Sequence, residues 1–381
     1  MTLTLRLLIL VIVANVYKTG SSSSYAVLVS QKPKAATARD LQRTHSLRHV
    51  AELAGVSVAT ASRVMSGSSH PVSEATRKRV LSAADRLSFE PNRLARALVT
   101  TRSQTVGVIV HDISDPYFAD IVKGLEDGMH EEDYRLFVAS ADRDPDKELG
   151  YFRTFQAHQV DAIVFAASSL TDPDYIATLQ SLASRFKARG GVIVVLSDHV
   201  LTAPRVSFDN REAVMDMVRH LAERGHRRIG YIGGPGNLEV SRVRLGGFRA
   251  AVDDLGLTAG DDHVVDGQFT VTGGEAAMAT LLEQVDITAV LAASDLMAIG
   301  ATRKLLDSGL DVPGDMSVAG LDDIPLAAYG PVPLTTMRVP TYDMGRSGAD
   351  MVLAALDDGD PEDVQVFGEI IERQSVGEPQ V

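Results

Sequence analysis

Residues 46–66, SLRHVAELAGVSVATASRVMS, hold two short helical patterns joined at Ala54-Gly55-Val56-Ser57. In the first, Leu47, Val50, Ala51 and Ala54 recur at i, i+3, i+4 and i+7, the apolar stripe of an amphipathic helix, and Ser46 stands where a cap is needed. Gly55 permits the sharp turn between the two. Ser57 caps the second pattern, in which Ala61 and Val64 face inward while Val58, Ala59, Ser62 and Arg63 face outward. Small outward side chains let such a helix sit deep in a DNA major groove, where a guanidinium at position 63 can pair bidentately with guanine. An ordinary helical hairpin can carry the same turn, so the residues that follow decide between the two.

Ser73 caps a third pattern, EATRKRVLSAADRL, whose Val80, Ala83, Ala84 and Leu87 would close a three-helix core. Then comes PNRLARAL (91–98), a helix-capable segment that starts on proline and sets two arginines beside Leu98. In combination, AGVSVATASRV, VSEATRKRV and PNRLARAL resemble the headpiece and hinge of the lactose-repressor/galactose-repressor (LacI/GalR) family of bacterial transcription regulators, over residues 46 to 110. Three positions depart from the family pattern: His49 replaces the usual aspartate, Ser88 a helix-ending glycine, and Ala61 a valine. The first two bear on helix ends, and none removes a base-contacting position. The DNA-contacting set on this reading is Ser57, Val58, Ala59, Thr60, Ser62 and Arg63, joined by Asn92, Ala95, Arg96 and Leu98 of the hinge. The resemblance implies that paired hinge helices wedge their leucines into the minor groove.

Charge is distributed to match. The whole chain carries −13, which alone would argue against a nucleic-acid partner, yet residues 41–102 carry +6 and residues 103–381 carry −23. A basic headpiece on an acidic body confines phosphate contact to one end of the molecule. Arg77-Lys78-Arg79 can equally be a solvated charge run.

The acidic body alternates short apolar runs with amphipathic helices. Strands are expected at 106–110, 135–139, 162–166, 192–196, 228–232, 289–292, 318–321 and 369–374, with helices around 117–131, 146–158, 174–189, 211–225, 240–255, 273–284, 295–308 and 342–357. Repeated βα units imply parallel sheets covered on both faces, with ligands at the carboxyl ends of the strands. HLAERGHRRIGYIGGP (220–235), SRVRLGGFRAA (241–251) and SVAGLDDIPLA (317–327) continue the resemblance into the bilobed, periplasmic-binding-protein-like core of the same family. The expected fold class is therefore α/β: an all-α helix-turn-helix headpiece followed by two α/β lobes with parallel sheets. The expected domains are an extension at 1–45, partly disordered, a headpiece with hinge at 46–102, and an effector-binding and dimerisation core at 103–381.

Tyr117-Phe118 follow Asp115-Pro116 directly after the first strand, where a loop becomes a helix at the ligand edge of the sheet. The resemblance makes Phe118 a ring wall for the ligand and Phe269 its partner from the other lobe, faces suited to a sugar or a purine base. It matches Arg244 and Asp322 to the family's effector-binding arginine and aspartate. Asp198 and Asp295 are further candidates, each also readable as a cap or an inter-lobe ion pair.

Other signals point to structure. Gly234-Pro235-Gly236 lacks the third glycine of a dinucleotide fingerprint and reads as a loop in the cleft. His226 follows Gly225, where positive groups favour a helix C-terminus. With no cysteine, no ligand-like histidine spacing and no Ser/His/Asp constellation, neither a metal, a cofactor nor catalysis is expected. The apolar run at 7–14 is too short to span a bilayer, which needs about 20 residues. It is closer to a secretory h-region but has no clean cleavage site, and export would carry the headpiece away from DNA. The extension is thus expected to lie outside the family pattern, as if translated from a start codon set too far upstream.

Two other readings compete. An exported sugar-binding protein would share the core but leave the headpiece unexplained, and a Rossmann-like enzyme would need a phosphate loop or acid/base pair that is not found. The expectation is a cytoplasmic, ligand-responsive regulator, a repressor that binds near-palindromic operator DNA as a homodimer and answers to a sugar-like or nucleoside-like effector. No leucine heptad follows Gln374, so no tetramerising helical bundle is expected.

Overall fold

The computed structural model describes residues 46–65, 70–87, 89 and 102–380. The chain divides into two compact units at Pro91/Asn92, inside the span read from sequence as headpiece plus hinge.

In the first unit, helices α1 (Leu47–Ala54), α2 (Val58–Met65) and α3 (Glu74–Arg86) enclose a core of Val50, Ala51, Ala54, Ala61, Val64, Val80, Ala83 and Ala84. Gly55 takes the left-handed conformation (φ 63°) and the N–H of Val56 returns to the Ala51 carbonyl at 3.0 Å, which ends α1. Ser57 caps α2 by accepting from the Thr60 N–H at 3.1 Å, and Ser73 caps α3 through the Thr76 N–H at 3.3 Å. His49, the departure at the start of α1, does a capping job: its Nδ1 accepts from the Ser46 N–H at 3.1 Å, as a carboxylate would.

The second unit runs β1 (Thr105–Val110), α4 (Pro116–Glu131), β2 (Arg135–Ser140), α5 (Pro145–Ala157), β3 (Ala162–Phe165), α6 (Pro173–Lys187), β4 (Val192–Val195) and β5 (Val206–Phe208). It continues with α7 (Asn210–Glu223), β6 (Ile229–Gly233), α8 (Glu239–Leu255), β7 (Val264–Asp266), α9 (Val271–Gln284), β8 (Ala289–Ala292), α10 (Asp295–Asp307) and β9 (Ser317–Asp322). Last come α11 (Pro325–Tyr329), β10 (Thr335–Arg338), α12 (Thr341–Leu356), β11 (Val364–Val366) and β12 (Glu369–Ile371).

One lobe holds the parallel sheet β2-β1-β3-β4, and the other a six-stranded sheet β12-β10-β9-β8-β6-β7, parallel except for β12. A two-stranded parallel pair, β5 and β11, adjoins the crossovers. Helices cover both faces of the sheets, so central strands such as β1 and β8 are buried along most of their length. The chain passes between lobes at 208–210, 338–341 and 366–369. After the second crossing α12 packs along α4 in the N-terminal lobe. Glycines make that approach possible: a Cβ on Gly124 would fall 2.1 Å from the Tyr342 carbonyl oxygen, and one on Gly345 the same distance from that of Ile121.

The eight expected strands and the eight expected helices of the core are present, with ends shifted by a few residues at most. Strands β5, β7, β10 and β11 and helix α11 were not foreseen. Three of those strands have only three residues, and β10 reads TTMR, a polar start that disguises two fully buried threonines. Their hydroxyls are satisfied inside: Thr336 donates to Asp295 at 2.6 Å, and Thr335 accepts from the Arg373 N–H at 2.9 Å. His226 does not serve a helix dipole; its ring bridges the Thr288 hydroxyl (2.9 Å) and the Gly377 carbonyl (3.0 Å), tying down the C-terminal segment.

Candidate DNA-reading face and ligand cleft

On the first unit, Ser57, Val58, Ala59, Ser62 and Arg63 are exposed along one side of α2, while Ala61 and Val64 are buried opposite. Val58 is 45 % exposed, unusual for a valine beside an available core. Thr60 is half-buried and shares its hydroxyl with Ser57 at 2.8 Å, so both belong to the cap as well as to this face. The hinge candidates Asn92, Ala95, Arg96 and Leu98 lie outside the described residues.

Within the second unit a cavity of about 600 Å³, counting space open to solvent, lies between the lobes. Four of its wall residues stand just beyond the carboxyl ends of the four strands of the N-terminal lobe: His111 after β1, Arg143 after β2, Ser168 after β3 and Ser197 after β4. Tyr117 and Phe118 enter from the start of α4, which Asp115 caps through the Tyr117 N–H at 3.0 Å. From the C-terminal lobe come Asp322 at the end of β9, Phe269 after β7, and Arg244 and Val240 on α8. The parallel-sheet rule thus holds in both lobes, whose strand ends face one another.

Arg244 is almost fully buried and firmly placed. Its Nε donates to Asn210 Oδ1 at 2.8 Å, one terminal nitrogen donates to the Ala293 carbonyl, and the other lies 3.6 Å from Asp322 Oδ1. Asp322 is held at φ 117°, a strained conformation for a non-glycine, and Phe269 (φ 54°) and Arg143 (φ 59°) are also left-handed. Backbone strain therefore gathers where the lobes meet. Burial pushes the Asp322 carboxyl well above its ordinary range, with Arg244 pulling the other way and Asp295 adding like-charge repulsion. Burial, helped by Arg143, lowers His111 to about 3, so its ring is neutral.

Several of these groups lack partners. Both ring nitrogens of His111, the hydroxyls of Ser168 and Ser197 and Nε of Arg143 are buried without a hydrogen bond, and Asp322 Oδ1 has only its ion pair with Arg244. Buried polar groups are normally satisfied, so a concentration of orphans on one cavity wall marks where a polar ligand completes them.

The expected pair of aromatic walls is modified. Phe118 lies edge-on to Tyr117 (5.1 Å) and His111 (5.8 Å), so all three rings form one wall. Phe269 lines the cavity, but the Arg143 guanidinium lies over its ring at 5.6 Å. Gly234 supports that ring from below: a Cβ there would meet it at 2.1 Å, which places the Gly234-Pro235-Gly236 loop beneath the cleft.

Asp198 requires correction. It does not line this cavity, because its Oδ2 accepts from Asn210 Nδ2 at 3.2 Å and Asn210 occupies the wall in its place. Asp295 is likewise internal, accepting from Thr336 and from the Ile324 N–H at 2.9 Å. His111, Arg143, Ser168, Ser197 and Asn210 were missed from sequence. Applying the strand-end rule to every strand of the lobe, instead of to the first helix alone, would have found the first four.

Residues 46–92 match the family described as "Bacterial regulatory proteins, lacI family", and residues 218–376 match the "Periplasmic binding protein-like domain". The chain is 36 % identical over 340 residues to the HTH-type transcriptional regulator GalR of Escherichia coli (strain K12), covering 88 % of this chain and 96 % of the relative. It is 33 % identical to catabolite control protein A of Priestia megaterium, covering 78 % and 88 % of the two chains. Among solved structures, the transcriptional regulator CelR in complex with cellobiose is similar at a TM-score of 0.62 and 32 % identity, over 87 % of this chain and 99 % of that one. With a DNA-reading helix in one unit and a cleft of unpartnered polar groups in the other, the chain belongs to the LacI family and is a ligand-responsive, DNA-binding transcription regulator.

Proposed function

We propose that this regulator is a repressor that binds a near-palindromic operator as a homodimer and is controlled by a small polyhydroxylated effector held between its lobes. The observation that carries the effector reading is the set of unpartnered polar groups on the cavity wall, His111, Ser168 and Ser197 opposite Asp322. Neutral imidazole, hydroxyls and a carboxyl suit sugar or nucleoside hydroxyls, while the rings of Tyr117 and Phe118 suit the flat part of such a ligand. Neither serine is hydrogen-bonded to His111, the arrangement a nucleophile and its base would need, which supports binding without turnover.

In this reading residues 46–102 are the headpiece with its hinge, which reads the major groove through Ser57, Val58, Ala59, Thr60, Ser62 and Arg63 and carries Asn92, Ala95, Arg96 and Leu98 in the hinge segment. Residues 103–381 bind effector and dimerise, and residues 1–45 are an extension. Exposed apolar side chains favour self-association: Phe137 (46 %) and Val138 (41 %) on the edge strand β2, and Leu326 (54 %) and Tyr329 (86 %) on α11. Two identical headpieces then call for two half-sites. Among the described residues no helix is long and apolar enough to cross a membrane. A DNA-binding role supports a cytoplasmic location.

Effector binding would set the angle between lobes and so the spacing of the two hinges, with a coupling of about 1–3 kcal/mol. Reciprocity then requires operator DNA to change effector affinity by the same factor. Calorimetric titration of the effector with and without operator duplex tests this. Equal dissociation constants in the two titrations would show that cleft and headpiece are uncoupled.

A further inference from the structure

Arg143 stands on the wall of the cavity at the carboxyl end of β2, and its guanidinium reaches from the N-terminal lobe over the Phe269 ring of the other. Among the described residues it makes no ion pair and no hydrogen bond, and its Nε is buried. Three carboxylates are near enough to feel its charge, and each is engaged elsewhere. Asp112 accepts from the N–H and hydroxyl of Ser114 at 2.9 and 2.7 Å. Asp115 caps α4, and Asp142 holds the Lys147 ammonium at 2.6 Å.

Arg143 is half-buried, and an aromatic face offsets only part of what a guanidinium loses on leaving water. The other cation of the cavity differs: Arg244 is bonded to Asn210 and Ala293 and stands beside Asp322. Arg143 is therefore the cation of the cavity that has no hydrogen bond or ion pair among the described residues, although Asp115 shares the wall with it, and it carries the fork-shaped group that matches carboxylate and phosphate oxygens in pairs.

Resting on the reading of this cavity as the effector site, we propose that the effector is anionic: a sugar-sized polyol with one carboxylate or phosphate group. The anion pairs with Arg143, and the hydroxyls complete His111, Ser168, Ser197 and Asp322. Arg143 thereby selects acid or phosphorylated sugars over their neutral counterparts, and the ion pair over Phe269 draws the two lobes together.

Calorimetric titration of the full-length protein at low ionic strength with matched pairs tests this: glucose and glucuronate, galactose and galacturonate, glucose and glucose 6-phosphate, ribose and ribose 5-phosphate. In at least one pair the anionic member should bind about tenfold or more tightly than its neutral counterpart. Which pair responds separates a carboxylate from a phosphate effector. Arg143→Gln should bring that ratio to about twofold or less, and Arg143→Lys, which keeps the charge, should retain most of it. Neutral members binding as tightly as their acids, or a ratio that survives Arg143→Gln, would overturn the proposal while leaving the polyol site intact. Binding of no member of any pair would overturn the polyol reading together with this one, and the operator-binding role, measured separately, would stand.

Discussion

Asn210 opens α7 just beyond the first crossover, and its amide is divided between the lobes. Oδ1 accepts from Arg244 Nε at 2.8 Å, while Nδ2 donates to Asp198 of the N-terminal lobe at 3.2 Å and lies 3.4 Å from the Phe208 carbonyl. Asn210→Ala removes all three bonds and leaves a buried guanidinium nitrogen and a largely buried carboxylate short of a partner. A hydrogen bond to a charged group contributes about 1.5–3 kcal/mol, and the longer second bond adds less than the first, so the expected loss is about 2–4 kcal/mol. In a domain of this size each kcal/mol moves the melting temperature about 2–4 °C, which predicts a fall of about 5–10 °C. Arg244 keeps the Ala293 carbonyl but loses its lateral support, so effector affinity should fall as well. Asn210→Asp preserves the Arg244 bond and sets a carboxylate against Asp198; its deficit should shrink as pH falls and the acid pair takes up a proton. Thermal melting and effector titration of both variants, with Asp198→Ala and the Asn210→Ala/Asp198→Ala double variant, close a thermodynamic cycle. A melting temperature for Asn210→Ala within about 1 °C of the parent, or additivity with Asp198→Ala within about 0.5 kcal/mol, would refute the reasoning.

Other expectations follow from single contacts. Glu148 is buried between α5 and α6 with the Tyr175 hydroxyl as its partner, and burial raises its carboxyl to about 7. Because the folded value lies above the unfolded one, the stability linked to its proton is fully present below about pH 4.5 and is lost as pH rises towards 7. Glu148→Gln should remove about 2–3 kcal/mol of that decline, read from urea melts across the pH range; parallel profiles for variant and parent would count against it. Gly345→Ala places a methyl 2.1 Å from the Ile121 carbonyl and 2.7 Å from the Leu125 N–H, both backbone atoms, so α4 and α12 must part at a cost of about 1–3 kcal/mol. Arg63→Ala should cost about 1–3 kcal/mol for operator duplex and relax preference at one base pair, measured by affinity and footprinting, with no change in effector binding.

The headpiece was readable residue by residue. Its helices are short and amphipathic, its turn is set by Gly55, and its caps are local, so the 3.6-residue period of apolar side chains defines both the core and the outward face of α2. His49 shows the same locality, since a side chain three residues from Ser46 can satisfy its N–H whether carboxylate or imidazole. The α/β alternation of the core was equally plain, because strands covered on both faces must be apolar along their length. The short strands escaped: three residues of pairing leave no periodicity, and the threonines of β10 are buried only because Asp295 and the Arg373 N–H lie opposite.

Sequence alone determined the fold class and the headpiece, because helical period, strand composition and local motifs are short-range properties of the chain; Arg244 and Asp322 came from the family resemblance, and the structure sets both on the cavity wall. Only tertiary structure decided what the cleft contains. Whether a polar side chain is spent or available depends on neighbours far away in sequence: Asp198 is taken by Asn210, Asp295 by Thr336, and the acids around Arg143 by a cap, a turn and a lysine. The three-dimensional path of the chain thus turns Arg143, one arginine among many in the sequence, into a cation with no hydrogen bond or ion pair among the described residues.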